Sequence, residues 1–62
     1  MFYMVICMAK KWFATEFDSE NPENIENMMG HVNNGNFVVI VDDLDTVSGY
    51  VDVTREEIEI VE

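Results

Sequence analysis

The chain is poor in cysteine, proline and glycine, with one, one and three of them in 62 residues. A single cysteine, Cys7, excludes a disulfide within the chain, and a lone thiol is more typical of a reducing compartment than of secretion. A domain of this size buries only about 60% of the surface of its unfolded chain, so its stability is marginal. We therefore expect a cytoplasmic protein that is stabilised by its core and by a partner chain.

Positive charge is also scarce. Lys10, Lys11 and Arg55 face thirteen Asp and Glu, which gives a net charge of −10, and every acid follows residue 15. Such a field repels nucleic acid and anionic membranes, and it attracts basic protein surfaces. We therefore predict no direct binding to nucleic acid or to a membrane, and a protein partner with a basic surface.

Long apolar runs are missing as well. The apolar run at residues 1–9 is too short to span a bilayer, which needs about 20 residues. Lys10 and Lys11 follow this run, whereas a signal peptide carries its positive charge first. Because 48% of the residues are hydrophobic, a core can form. We predict one soluble domain over residues 1–62.

The first half of the chain predicts a hairpin and a helix. Residues 2–8 and 11–17 alternate as two strands, although Ala9-Lys10 is not a favoured two-residue turn and a helix beginning within residues 7–16 is the alternative. Asn21 then caps a helix that starts at Pro22 and ends at residues 33–35. Its apolar stripe comprises Ile25, Met28, Met29 and Val32.

The second half predicts more strands. Residues 37–41 are continuously apolar, which is typical of a strand buried on both faces. A polar turn at 42–45 and a strand at 46–53 follow. The spacing from Thr54 to Glu57 predicts a capped helical turn before a last strand at 58–60. The predicted fold class is α+β: a small antiparallel sheet of about five strands, open or barrel-like, with one helix, in the order ββαβββ.

No residue pattern predicts catalysis, a cofactor or a metal. Cys7 lies within an apolar strand, where a thiol behaves as a small hydrophobe, and His31 is the only imidazole. An EF-hand loop beginning at Asp43 would place Val47 at a ligand position, so the acidic turn at 42–45 fails that motif. We expect a protein that is not an enzyme.

The acids are the best candidates for a partner-binding surface. Carboxylates on a rigid frame can imitate the phosphates of a nucleic acid and occupy a basic channel. The alternative is that they only keep the domain soluble. Glu62 belongs to the C-terminal group of acids. The nine candidates are Glu20, Glu23, Glu26, Asp42, Asp43, Asp45, Glu56, Glu57 and Glu59.

Tyr3 and Trp12 are the candidates for a homodimer interface. Both lie on the hairpin face opposite Met4 and Ile6, and an apolar face of this kind is covered in a stable monomer. Tyr and Trp often anchor interfaces, but ordinary packing across the strands is an equal alternative.

A very short, acidic, cysteine-poor chain resembles the accessory proteins that phages and other mobile elements use to block host factors. The resemblance is to a class of proteins and not to a motif. It implies a non-enzymatic inhibitor or regulator that engages the nucleic-acid-binding site of a partner protein. Two alternatives stay open: a structural or oligomerisation module whose acids only confer solubility, and a divalent-cation-binding domain.

Overall fold

The computed structural model describes residues 1–61, so Glu62 of the predicted C-terminal acid group lies outside the described residues. Over this range, strands and short helices alternate around one sheet. The elements in chain order are β1 (Phe2–Met8), β2 (Lys11–Phe17), α1 (Pro22–Asn33), β3 (Phe37–Val41), a long 3₁₀ segment (Leu44–Gly49), a short 3₁₀ turn (Arg55–Glu57) and β4 (Ile58–Ile60).

The predicted hairpin is confirmed in its register. β1 and β2 pair antiparallel from Phe2 opposite Phe17 to Met8 opposite Lys11. Ala9 and Lys10 both adopt positive φ, at 53° and 65°, which a two-residue hairpin turn needs and which residues other than glycine rarely adopt. The pairing of two seven-residue strands therefore outweighs the unfavourable turn dipeptide, and the alternative helix within residues 7–16 is wrong.

The sheet differs from the prediction in strand number and direction. Its order is β3-β1-β2-β4, with β1 antiparallel to both β2 and β3. β4 pairs parallel with β2, from Ile58 opposite Trp12 to Ile60 opposite Ala14. The described residues thus form an open, mixed, four-stranded sheet, and the predicted antiparallel sheet of five strands is wrong in these details. Because β3 and β4 are edges, the sheet does not close into a barrel.

The predicted strand at 46–53 is wrong: residues 46–49 belong to the long 3₁₀ segment, and residues 50–52 form a turn and bend. The Oδ1 atom of Asp43 accepts a hydrogen bond of 2.9 Å from the N–H of Asp45, which caps the first turn. Leu44 and Val47 are three residues apart, and this spacing places both on one side of a 3₁₀ helix. Both are buried, so the three-residue period prevails over the alternating valines. The predicted capped turn is confirmed, because the N–H of Thr54 donates a 3.2 Å hydrogen bond to Glu57 Oε1.

Each face of the sheet is covered by a different element. On one face, Met4, Ile6 and Phe17 are buried under α1. On the other face, the buried residues come from the sheet and from the long 3₁₀ segment that crosses it: Val5, Ala14, Val41, Leu44, Val47 and Ile58. Two faces with separate cores explain why β3 is apolar at every position, as the sequence predicted.

The helix begins and ends where the sequence places it, with Asn21 as its N-cap and Pro22 as its first residue. Only part of its predicted apolar stripe packs inward. The side chains of Ile25 and Met28 contact the sheet, whereas Met29 and Val32 are about half exposed, at 47% and 48%. The helix covers only part of the sheet face, so none of its residues is fully buried. No helix within residues 1–61 is both long and apolar enough to cross a membrane.

Candidate functional site

The strand register gathers acids from three elements at one end of the sheet. Glu16, Tyr3 and Val41 form one row across β2, β1 and β3. The ends of β2 and β3 are therefore level and lie about 10 Å apart, which is two strand spacings. We call this the acidic end. Its members, all exposed, are Glu16, Asp18, Glu20, Glu23, Asp42 and Asp43.

A set of local hydrogen bonds holds the helix start beside the end of β2. The N–H of Asp18 donates to Asn24 Oδ1 at 2.9 Å, which ties the strand end to the first turn of α1. Asp18 Oδ1 accepts from the N–H of Glu20, and Asn21 Oδ1 accepts from the N–H of Glu23, both at 2.9 Å. These bonds fix the backbone that carries four of the six carboxylates, so the charges are held on a defined frame.

The two lysines lie at the other end of the sheet. Lys10 and Lys11 belong to the β1–β2 turn, six residue steps along the hairpin from the row of Phe2 and Phe17, which corresponds to about 20 Å. That distance exceeds the screening length of about 8 Å at physiological salt. The α-amino group of Met1 is at the acidic end. Within residues 1–61 neither lysine lies at the acidic end, and none of its six carboxylates forms an ion pair.

Arg55 forms an ion pair with Asp45, which is not one of these six acids. Its Nε atom lies 3.6 Å from Asp45 Oδ1, and both side chains are more than half exposed. An exposed pair of this kind contributes little to stability, but it offsets the one charge that the long 3₁₀ segment carries. Asp45 is therefore compensated, although it follows Asp42 and Asp43 closely in the sequence.

The C-terminal acids lie at the opposite end of the sheet, which we call the turn end. Glu57 and Glu59 line a shallow groove together with Lys10 and Lys11. The cations of the hairpin turn thus offset these two carboxylates. Glu56 adjoins them in the short 3₁₀ turn. Asp52 also lies at this end, where it lines a hollow with Trp12.

The nine acids predicted from the sequence are consequently divided by the fold. Glu20, Glu23, Asp42 and Asp43 meet at the acidic end, and Glu26 extends it by one helical turn. Of the other four, Asp45 pairs with Arg55, and Glu57 and Glu59 share a groove with the two lysines. Glu56 adjoins Glu57 in the short 3₁₀ turn.

Glu16 and Asp18 belong to the acidic end and were missed by sequence reasoning. Both lie in the segment 16–20, where three of five residues are acids, so charge clustering along the chain was a signal that could have found them. The hairpin register places Glu16 opposite Tyr3. Combined with an antiparallel β3, that register would have placed Glu16 and Asp18 at the same end of the sheet as Asp42.

An apolar hollow lies within the acidic end. Met1, Phe2 and Phe17 line it together with Asp18 and Glu20, and its volume is about 370 Å³. The Phe2 side chain is 48% exposed. An exposed aromatic ring surrounded by charge is typical of the anchor and rim of a protein interface. The acidic end therefore offers a contact point for an apolar side chain as well as for cations.

Tyr3 and Trp12 are half-buried and pack against the core beneath the long 3₁₀ segment. The Trp12 ring meets Phe37 edge to face, with centroids 6.0 Å apart and an interplanar angle of 73°. Phe37, at 54% exposure, is more accessible than either of them. The hairpin face that carries Tyr3 and Trp12 is thus largely covered within the chain.

The remaining candidate groups for chemistry are separated. Cys7 lies on the sheet face that carries Trp12 and Phe37. His31 is in the last turn of α1, on the opposite face. The sheet therefore stands between the thiol and the imidazole. In the part of the chain that the structure describes, no three His, Cys, Asp or Glu side chains converge on a possible metal position.

Comparison of the chain with protein-family models, with curated proteins and with solved structures finds no match.

Proposed function

We propose that this protein is a non-enzymatic, cytoplasmic inhibitor or regulator whose acidic end docks on the basic, nucleic-acid-binding surface of a partner protein. The observation that carries the proposal is the concentration of six exposed carboxylates at the sheet end opposite both lysines, where none of the six forms an ion pair within the described residues. A charge of one sign confined to one end gives the molecule a preferred approach direction toward a basic surface.

The dimensions of the acidic end suit a site that normally holds phosphates. Its carboxylates follow two strand ends about 10 Å apart. That separation is comparable to the width of about 12 Å that the major groove leaves between two phosphate rows. The exposed ring of Phe2 between these rows supplies an apolar contact that a nucleic acid lacks at that position. Such a contact adds affinity for a protein partner that electrostatics alone does not provide.

Docking through the acidic end and mere solubility predict different effects when carboxylates are removed. If the total charge were all that mattered, three carboxylates removed from either end would have the same effect. Docking through the acidic end instead makes the position of the removed charges decisive. Two variants with the same change in net charge therefore distinguish the two functions.

Six acids, three at each end of the sheet, are suited to this pair of variants. None of their carboxylates accepts a hydrogen bond within residues 1–61, so neutralising them removes charge without breaking a hydrogen bond. Each variant raises the net charge by three. The acidic-end variant carries Glu16→Gln, Glu20→Gln and Asp42→Asn. The turn-end variant carries Asp52→Asn, Glu56→Gln and Glu59→Gln.

The test is affinity capture from extract of the native host with the wild-type chain and both variants as bait, over a salt series. We expect the wild type and the turn-end variant to retain the same partner at low salt and to release it by a few hundred millimolar salt, roughly the range that screens surface charge. The acidic-end variant should lose that partner at low salt. Equal capture by both variants, or capture that salt does not weaken, would contradict the proposal.

A further inference from the structure

β3 is an edge strand with an unpaired outer side. The sheet order β3-β1-β2-β4 leaves no described strand beyond it. β3 spans Phe37–Val41 and pairs with β1 without a bulge. An edge of this kind presents a row of free N–H and C=O groups to any strand that approaches it.

The hairpin identifies which backbone groups of β3 are free. Met8 and Lys11 flank a two-residue turn, so they exchange hydrogen bonds, and the bonded positions of β1 alternate from there. Val5 and its neighbours two residues away therefore bond toward β3, opposite Val39. It follows that Val38 and Ile40 of β3 direct their N–H and C=O groups outward.

β3 lacks the features that protect exposed edges, whereas β4 has them. Edge strands are normally kept from pairing by charge, proline, bulges or short length. β4 is three residues long and carries Glu59 at its centre. β3 has five residues, all apolar and none of them proline. The two edges of the same sheet thus differ in the way expected if one of them pairs with another strand.

The apolar surface continues from β3 onto the helix above it. α1 packs on the sheet face that carries Val38 and Ile40. Met29 and Val32 of this helix are each about half exposed. Phe37 exposes more than half of its ring on the other face. A strand that pairs with β3 would therefore also contact apolar side chains on both faces of the sheet.

The pattern of free groups is self-complementary. With Val39 opposite Val39 on a two-fold axis, Val38 of one copy lies opposite Ile40 of the other, and both present outward groups. Asp42 then lies opposite the neutral Asn36, so no two acids meet along the strands.

The charge distribution favours the same antiparallel arrangement. Each copy has its acidic end where β3 finishes and its lysines at the β1–β2 turn. Antiparallel β3 strands place the acidic end of one copy beside the turn end of the other, which carries both lysines as well as acids, so repulsion is weaker there than between two acidic ends. A parallel arrangement would bring the two acidic ends together, which a pair of chains with a net charge of −10 each disfavours.

We infer that two copies of this chain associate through antiparallel pairing of their β3 edges, which forms a continuous eight-stranded sheet with α1 of both copies on one face. The contact is distinct from the hairpin face that carries Tyr3 and Trp12. It also places the two acidic ends at opposite corners of the dimer, where both stay accessible to a partner.

The first test is amide hydrogen exchange at two concentrations, followed residue by residue by NMR on the wild-type chain. We expect the amides of Val38 and Ile40 to become at least about 10-fold more protected between low micromolar and near-millimolar protein. The amides of Val39 and Val41 should be protected at both concentrations, because they bond within the monomer. Rapid exchange at Val38 and Ile40 at both concentrations would overturn the inference.

The second test uses N-methylation by chemical synthesis, which removes one donor and keeps the side chain. N-methyl-Ile40 blocks an outward amide of β3. N-methyl-Ile60 is the matched control, because the N–H of Val61 bonds inward to Ala14 O and the amide of Ile60 therefore points outward on β4. We expect methylation of Ile40 to weaken dimerisation in sedimentation equilibrium by about 10-fold or more, since two hydrogen bonds are lost per dimer.

Methylation of Ile60 should leave the dimer unchanged. A wild-type chain that sediments as a monomer at near-millimolar concentration would overturn the inference, as would a dimer that is weakened only by methylation of Ile60. Neither experiment contains a partner protein, so these results are independent of the proposed docking function. A protein that fails to dimerise can still capture a partner through its acidic end.

Discussion

Removal of charge from the acidic end should stabilise the isolated chain, whereas the same removal at the turn end should not. The prediction compares the acidic-end and turn-end variants defined above, which have equal net charge. At about 10 Å, the separation of the β2 and β3 ends, two carboxylates in water repel by about 0.4 kcal/mol. Screening leaves about 0.3 kcal/mol of this per pair at 10 mM salt and about 0.1 kcal/mol at 150 mM.

Each neutralised carboxylate relieves repulsion with several neighbours, of which the α-amino group of Met1 offsets a part. The unfolded chain retains some of the same repulsion. We therefore expect the acidic-end variant to raise the free energy of unfolding by about 1 kcal/mol at 10 mM salt and by about 0.3 kcal/mol at 150 mM. The turn-end variant loses attraction to Lys10 and Lys11, so its stability should be unchanged or lower.

The assay is urea unfolding followed by the fluorescence of Trp12, the only tryptophan. Urea is uncharged, so the salt concentration is set independently. A domain of this length has a total stability of about 3–9 kcal/mol, against which 1 kcal/mol is measurable. Equal stabilisation by both variants would refute the reasoning, because it would mean that net charge and not its placement governs the repulsion. A gain that does not shrink with salt would refute the electrostatic origin.

Three further predictions concern the frame that positions the acids, and each is checked by the same unfolding assay. Val47→Ala should lower the free energy of unfolding by about 2 kcal/mol, since a 1% exposed side chain of the long 3₁₀ segment loses two methyl groups beneath the sheet; a change below about 0.5 kcal/mol would mean that this segment does not cover the sheet. Gly35→Ala should lower the free energy of unfolding by about 1 kcal/mol because Gly35 has φ of 81°. Gly30→Ala should raise it by about 0.5–1 kcal/mol, because nothing lies within 4 Å of the added carbon in α1. A change of the same sign in both variants would contradict the assigned helix end. Replacing the turn residues by Ala9→Asn with Lys10→Gly should stabilise by about 1 kcal/mol, because both have positive φ; a loss of stability would contradict the two-residue turn.

Local sequence signals were sufficient for the hairpin and the helix. Seven-residue strands with clear alternation determine their own register, even across a turn dipeptide that does not favour it. Asn21 and Pro22 mark the helix start through groups that act within one turn of the chain. The packing of β3 against cores on both faces also followed from its uninterrupted apolar run, although Val41 is its only fully buried residue.

The parts that could not be predicted depend on contacts distant in sequence. The alternating valines of 46–53 satisfy a strand pattern, and only the sheet face beneath them selects the three-residue spacing of Leu44 and Val47. The parallel pairing of β4 with β2 likewise requires the long crossing that precedes it. A three-residue strand carries too little pattern to specify its neighbour.

The same distinction applies to the candidate site. The sequence identified acids by their runs, and four of those it selected do lie at the acidic end. It could not show that Asp45 faces Arg55 or that Glu59 lies beside the hairpin lysines, because these neighbours come from other elements. Glu16 and Asp18 were overlooked although they precede Glu20 in one short acidic segment. The location of uncompensated charge is a property of the strand register.

The measurement that tests the central claim most directly is an NMR titration of the isotope-labelled chain with a short oligolysine peptide at low salt. The account predicts that amide shift changes are concentrated at residues 16–23 and 42–43, and that they disappear as salt is raised past the screening range. Shift changes spread evenly over all acids, or centred on residues 52–59, would contradict it.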